Sequence, residues 1–154
     1  MLPLGKVLLI GFGNPGRLDD GLGPALAEAV EKLNLPDVTV DADYQLTVED
    51  AAQVAQYETV IFADAAVEGK EPFSFSRVEP ESEMSFSSHS VEPRAVMGMA
   101  RDLFQARTRG YILGIRGYRF NEFGQGISAQ AGKNLEEAVK FVSDILQGRV
   151  IIDI

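Results

Sequence analysis

The sequence contains no cysteine and only one histidine, His89. Without a thiol, disulfides, thiolate catalysis, iron–sulfur clusters and Cys-type zinc sites are excluded. Long apolar runs are missing as well. The first residues are apolar, but Lys6 interrupts them and no small-residue cleavage site follows. No stretch approaches the length that crosses a bilayer, so a cytoplasmic protein is the expectation. Basic residues are scarce: 14 Lys and Arg stand against 23 Asp and Glu, a formal net charge of -9. That sign argues against a nucleic-acid groove and against an anionic membrane surface, both of which reward Lys and Arg. A generally acidic surface explains it more simply than a metal-bearing or basic partner does.

What is present is the balance of one globular unit. The 154 residues are 45% apolar and 24% charged, enough for one core and too few for two comfortable domains. Residues 1–154 are read as a single domain, with no repeat, linker or low-complexity segment, and a monomer is expected.

Lys6 to Gly11 is a short continuous apolar run, the pattern of a strand buried on both faces. After Asp20, Leu22, Leu26, Val30 and Leu33 recur at helical spacing. Val38 to Asp41 reads as a second strand, and Thr47 as the cap of a short helix from Val48 to about Gln56. Thr59 to Ala65 is a third buried strand closed by an acid. Phe73 to Val78 alternates apolar and polar residues, as an edge or half-exposed strand does. Glu79 to Ser88 is a polar loop. Val96, Met99, Leu103 and Phe104 mark an amphipathic helix, Tyr111 to Ile115 a further strand, and Gly117 to Gly126 a loop. Ser128 then caps a long helix carrying Leu135, Val139, Val142 and Leu146 on its apolar side. Strands alternating with helices predict an α/β fold: a three-layer α/β/α sandwich, its sheet mainly parallel, with helices on both faces.

In open α/β sheets, ligands bind beyond the carboxyl ends of the strands. Three features converge there: the loop from Gly11 to Gly21 containing Asp20, the strand-end acid Asp64, and His89 before the helix that starts near Val91. Each has an ordinary explanation. Asp20 suits a helix N-cap, Asp64 a turn, and a lone histidine is more often structural than catalytic. Together, two carboxylates and one imidazole at one sheet edge suit a borderline divalent ion such as nickel or zinc, with positions left open for water or substrate.

Gly13-Asn14-Pro15-Gly16-Arg17-Leu18-Asp19-Asp20-Gly21-Leu22-Gly23 resembles the signature loop of the hydrogenase maturation peptidases. Phe62-Ala63-Asp64-Ala65 is similar to that family's second acidic motif. Ser88-His89-Ser90, followed by Val96, Met99, Ala100 and Leu103-Phe104, resembles its histidine motif and the helix after it. The motifs occur in the family's order across nearly the whole chain.

The resemblance implies an endopeptidase that removes a short C-terminal extension from the precursor of a nickel–iron hydrogenase large subunit, once nickel is inserted. Asp20, Asp64 and His89 would be the catalytic and nickel-recognising residues. The nickel would be recognised in the precursor, with zinc or another divalent ion able to occupy the isolated protein. Resting affinity is expected to be weak. Where many relatives carry a glycine-rich turn, this chain has Asp43-Tyr44-Gln45-Leu46, which looks like a branch serving soluble hydrogenases. Asn14, Asp43, Tyr44 and Gln45 are candidate substrate contacts, although a turn whose Tyr44 packs on the core explains the last three equally well.

Three rivals remain. Gly11, Gly13 and Gly16 satisfy G-x-G-x-x-G after a strand, with Asp41 or Asp43 placed for a ribose, as in a dinucleotide-binding Rossmann-like protein. Against this, Asp19 and Asp20 put negative charge where a pyrophosphate would sit, and Pro15 removes a backbone donor. A serine hydrolase using Ser85, Ser87, Ser88 or Ser90 lacks a nucleophile elbow. The third is a non-catalytic chaperone that binds nickel or the precursor.

Overall fold

The computed structural model describes residues 4–81 and 91–152. Five strands, β1 (Val7–Phe12), β2 (Val38–Asp43), β3 (Thr59–Ala66), β4 (Phe73–Val78) and β5 (Arg109–Arg116), form one sheet in the order β2-β1-β3-β5-β4. The β1–β2, β1–β3 and β3–β5 pairs are parallel, whereas β4 runs antiparallel to β5 at the edge. Helices α1 (Leu22–Glu31) and α4 (Ala129–Leu146) pack together on one face, and α2 (Glu49–Val54) and α3 (Pro93–Phe104) on the other. The expected α/β/α layering is therefore present. No helix among the described residues is long and apolar enough to cross a membrane.

The central strands explain themselves by burial. Leu9 and Ile61 enter the core under α1 and α4, while Leu8, Ile10, Val60 and Phe62 enter the core under α2 and α3. A strand covered on both faces gains nothing from alternation, so a continuous apolar run is its signature. β4 alternates because one of its faces is exposed: Phe73 and Phe75 stack around Phe141 and Tyr111, while Ser74 and Ser76 face solvent.

Several local expectations change. Leu33 lies past the last turn of α1 and is exposed, because Asn34 enters the left-handed region and Pro36 follows. Leu103 and Phe104 are exposed at the end of α3, which Gln105 terminates in a left-handed conformation. At α2 the bond runs opposite to the expected cap: Asp50 Oδ2 accepts from the Thr47 N–H at 2.8 Å, and Val48 is the residue that precedes the helix. Asp20 does not cap α1, since the chain first makes a 3-10 turn at Leu18–Gly21 and Gly21 precedes the helix. Ser128 precedes α4, but its hydroxyl bonds Asp19 and not a helix amide.

The placement of α1 depends on two glycines. A Cβ on Gly11 would lie 2.2 Å from the Gly23 carbonyl oxygen, and one on Gly23 would lie 2.4 Å and 2.5 Å from the Phe12 and Ala63 carbonyl oxygens. The first turn of α1 thus rests directly on the ends of β1 and β3. A Gly11→Ala substitution should cost about 2–3 kcal/mol, because backbone must move to admit the methyl. Urea titration of the two proteins checks this; an unchanged midpoint would show that the approach is not tight.

Candidate active site

The loop leaving β1 turns back at once. Gly13 has φ of 142°, and a Cβ there would meet the Asp20 carbonyl oxygen at 2.1 Å, so only glycine fits. Asn14 closes the next turn: its Oδ1 accepts the Gly16 N–H at 2.8 Å, and its carbonyl accepts the Arg17 N–H at 3.0 Å. The Asn14 N–H donates to Asp20 Oδ2 at 2.7 Å. This bond, rather than a helix cap, orients the half-buried Asp20 carboxylate.

Asp64 arrives from the other side. In β3 it lies one residue beyond Ala63, which pairs with Gly11 at the end of the β1 ladder, and it pairs instead with Gly114 of β5. Its Oδ1 accepts the Ala65 N–H at 2.8 Å. Burial at the sheet end pushes the Asp64 carboxyl up to about 7; the Ala65 bond opposes the rise, and the negative charge of Asp20 adds to it. Two of the three expected site residues are therefore brought together at one carboxyl edge, in electrostatic contact. His89 lies outside the described residues, as do Ser85, Ser87, Ser88 and Ser90.

Asp19, beside Asp20 in sequence, has a different part that sequence reasoning missed. It is fully buried, and its carboxylate accepts four hydrogen bonds: from the N–H groups of Tyr118 (2.8 Å), Arg119 (3.0 Å) and Ser128 (2.7 Å) and from Ser128 Oγ (2.7 Å). Burial alone would raise its pKa, but the bonds from Ser128, Tyr118 and Arg119 together outweigh it and hold the carboxyl below its ordinary range. Hydrogen bonds to a charged group contribute roughly 1.5–3 kcal/mol each, so four of them offset a desolvation cost of several kcal/mol. A serine before the last helix was the available signal, and it reads as a cap in the absence of the fold.

Asp64 opens into a cleft of about 610 Å³, whose walls include Phe12, Val78, Val91, Pro93 and Ile112, with Arg77, Glu79, Glu92 and Arg94 also lining it. The four candidate substrate contacts scatter. Asn14 lies in the loop after β1, its backbone N–H bonded to Asp20 and its side-chain oxygen to the Gly16 N–H. Asp43 and Tyr44 line a separate cleft of about 200 Å³ with Gly13, Pro15, Pro24 and Ala42. Tyr44 is 70% exposed and does not pack on the core. Gln45 is exposed and lines neither cleft.

A divalent cation fits the donor chemistry of the pair. Each carboxylate has one oxygen oriented by a backbone N–H, and the other oxygen receives no donor among the described residues. A cation would relieve their mutual repulsion and displace the proton that Asp64 holds near neutrality. Among the described residues no group of three His, Asp or Glu gathers around one point.

A carboxyl with a raised folded-state pKa gives a definite pH signature. The folded protein binds the proton more tightly than the unfolded chain, so stability falls as pH rises from about 4 and the loss is complete above about 7. Asp64→Asn removes the charged form. In chelator-treated protein its melting temperature should therefore gain on the wild type between pH 5 and pH 8.5. A constant difference across that range would show that Asp64 titrates normally.

No family model matches the chain, and no curated protein matches it. Solved structures do. A NiFe hydrogenase maturation protease, HycI, from Thermococcus kodakarensis superimposes with a TM-score of 0.73 at 22% identity, over 92% of both chains. The hydrogenase maturating endopeptidase HybD from E. coli gives 0.71 at 21% identity, over 93% of both. A hydrogenase 2 maturation peptidase from a Thaumarchaeota archaeon gives 0.66 at 22% identity, over 94% of this chain and 99% of its own. The chain has the open α/β fold of these hydrogenase maturation peptidases along nearly its entire length.

Proposed function

We propose that the chain is an endopeptidase that trims the C-terminal extension of a nickel–iron hydrogenase large-subunit precursor after nickel insertion. The observation that carries the reading is the Asp20–Asp64 pair at the carboxyl edge of a sheet with the fold of solved maturation peptidases. His89 is assigned as the third donor through the resemblance of its motif.

In this reading nickel is part of the substrate. The loaded precursor presents a cation to the oxygens of Asp20 and Asp64, so binding depends on nickel and brings the scissile bond to the mouth of the cleft. A resting site with two carboxylates and one imidazole holds metal weakly, and the precursor's own ligands complete it. In this reading a carboxylate of the pair acts as general base toward a water at the scissile carbonyl. Asp20, oriented by the Asn14 N–H, offers its second carboxylate oxygen to the cation.

The test is incubation of purified protein with nickel-loaded and nickel-free precursor, read as a mobility shift on a gel. Cleavage is expected with the loaded form alone. It should fall about 100-fold or more in Asp20→Ala, Asp64→Ala and His89→Ala proteins that remain folded. Binding of loaded precursor without cleavage would replace the peptidase with a non-catalytic chaperone. Neither binding nor cleavage would remove both.

A further inference from the structure

The segment leading into Asp20 is held more firmly than a surface turn requires. Leu18 adopts φ of 53°, a left-handed conformation that is strained for a non-glycine residue. Something must over-determine that conformation. The Leu18 N–H donates to the Gly124 carbonyl at 3.1 Å, the Gly124 N–H to the Gly16 carbonyl at 2.8 Å, and the Asp19 N–H to the Arg119 carbonyl at 3.0 Å. A Cβ on Gly124 would lie 3.1 Å from Leu18 Cδ2, so the Leu18 side chain packs against the Gly124 backbone. Beneath them the fully buried Asp19 carboxylate gathers its four donors from positions 99 to 109 residues further along the chain.

We infer that Asp19 is a positioning residue for the candidate site: by tying the Leu18–Gly21 turn to Tyr118, Arg119 and Ser128, it fixes where the Asp20 carboxylate stands relative to Asp64. The inference rests on the reading of Asp20 as a site residue. The Asp19 carboxylate is engaged by Tyr118, Arg119 and Ser128, and acts on Asp20 through the backbone. Released from the clamp, Leu18 relaxes toward ordinary negative φ, a rotation of roughly 110° two residues before Asp20. The Asp20 carboxylate, whose one donor among the described residues is the Asn14 N–H, has no second bond to hold it in place when that turn moves. A turn under strain next to a functional group keeps its geometry only while the surrounding bonds persist.

The Asn14 amide reports the position of the Asp20 carboxylate directly, through their 2.7 Å bond, and needs no metal or substrate. We would record its ¹⁵N–¹H resonance and hydrogen exchange in Asp19→Asn, Ser128→Ala and Ser128→Thr proteins, alongside kcat and KM for nickel-loaded precursor. Ser128→Ala, which removes one of four bonds and should fold, is expected to shift the Asn14 amide and to speed its exchange about tenfold. Its kcat should fall about tenfold at nearly constant KM. Ser128→Thr keeps the hydroxyl and should match the wild type, and Asp19→Asn should show the larger effect if it folds. An unmoved Asn14 amide in folded Ser128→Ala protein overturns the inference whatever the activity. An amide that responds, in a protein whose wild type cleaves and binds no precursor, leaves the clamp standing and removes the proposed function.

Discussion

The close approach of α1 to the ends of β1 and β3 sets everything downstream of it. Gly11, Gly13 and Gly23 carry no side chains because carbonyl oxygens occupy the space where a Cβ would stand. With the helix seated that low, the connecting loop cannot run straight from strand to helix. It folds back into a 3-10 turn at Leu18–Gly21, with the Asp20 carbonyl against Gly13. That detour puts the Asp20 carboxylate at the same edge as Asp64, the residue just past the end of the β1–β3 ladder. A looser helix with a larger residue at position 11 would leave room for a direct loop, and the acids would separate.

Three aspartates within this small volume show how environment assigns roles to one side chain. Asp19 is the most buried and has the lowered pKa, because four donors converge on it. Asp64 is half-buried, desolvated at the sheet end with a single backbone donor and a neighbouring negative charge, so its carboxyl rises to about 7. Asp20 is oriented by one amide and partly open to solvent. Exposure alone does not order Asp19 and Asp64, since the less exposed Asp19 is the one with the lowered pKa. Four hydrogen bonds to the ionised Asp19 outweigh its desolvation, whereas the single bond to Asp64 does not. The fully satisfied Asp19 is suited to holding structure, and the under-satisfied Asp64 to exchanging a proton or accepting a cation.

The sheet was legible because burial on both faces leaves an unambiguous trace. The runs containing Leu8–Ile10 and Val60–Phe62 lie in strands within a residue or two of their expected bounds, and the alternation over Phe73–Val78 marks the edge strand it becomes. Helix ends were less legible. Leu33, Leu103 and Phe104 keep helical spacing but fall where left-handed residues stop the helices, a backbone event that spacing does not encode. Asp20 and Asp64 were identifiable as acids closing buried strands or opening helices. The clamp at Asp19 was not, because its partners lie about a hundred residues away and bond mostly through backbone N–H groups, which carry no residue-specific signature. The part that Asn14 plays toward Asp20 was equally hidden, because it is the backbone N–H of Asn14 that donates to the carboxylate.

The same glycines that suggested a dinucleotide fold also argue against one. In a nucleotide-binding loop, glycines let a pyrophosphate approach the backbone at the start of the helix. Here that space is filled by the protein itself, since Gly11 lies against the Gly23 carbonyl and Gly13 against that of Asp20. The helix is preceded by a turn bearing two carboxylates, one of them fully buried, and an anion brought there would meet like charge. A cation meets the opposite situation, because Asp64 gives up its proton near neutrality and Asp20 already raises the cost of leaving it charged and alone. The glycine pattern therefore identifies a tight strand-to-helix passage and nothing more. The sign of the charge placed at that passage determines which ligand it can hold.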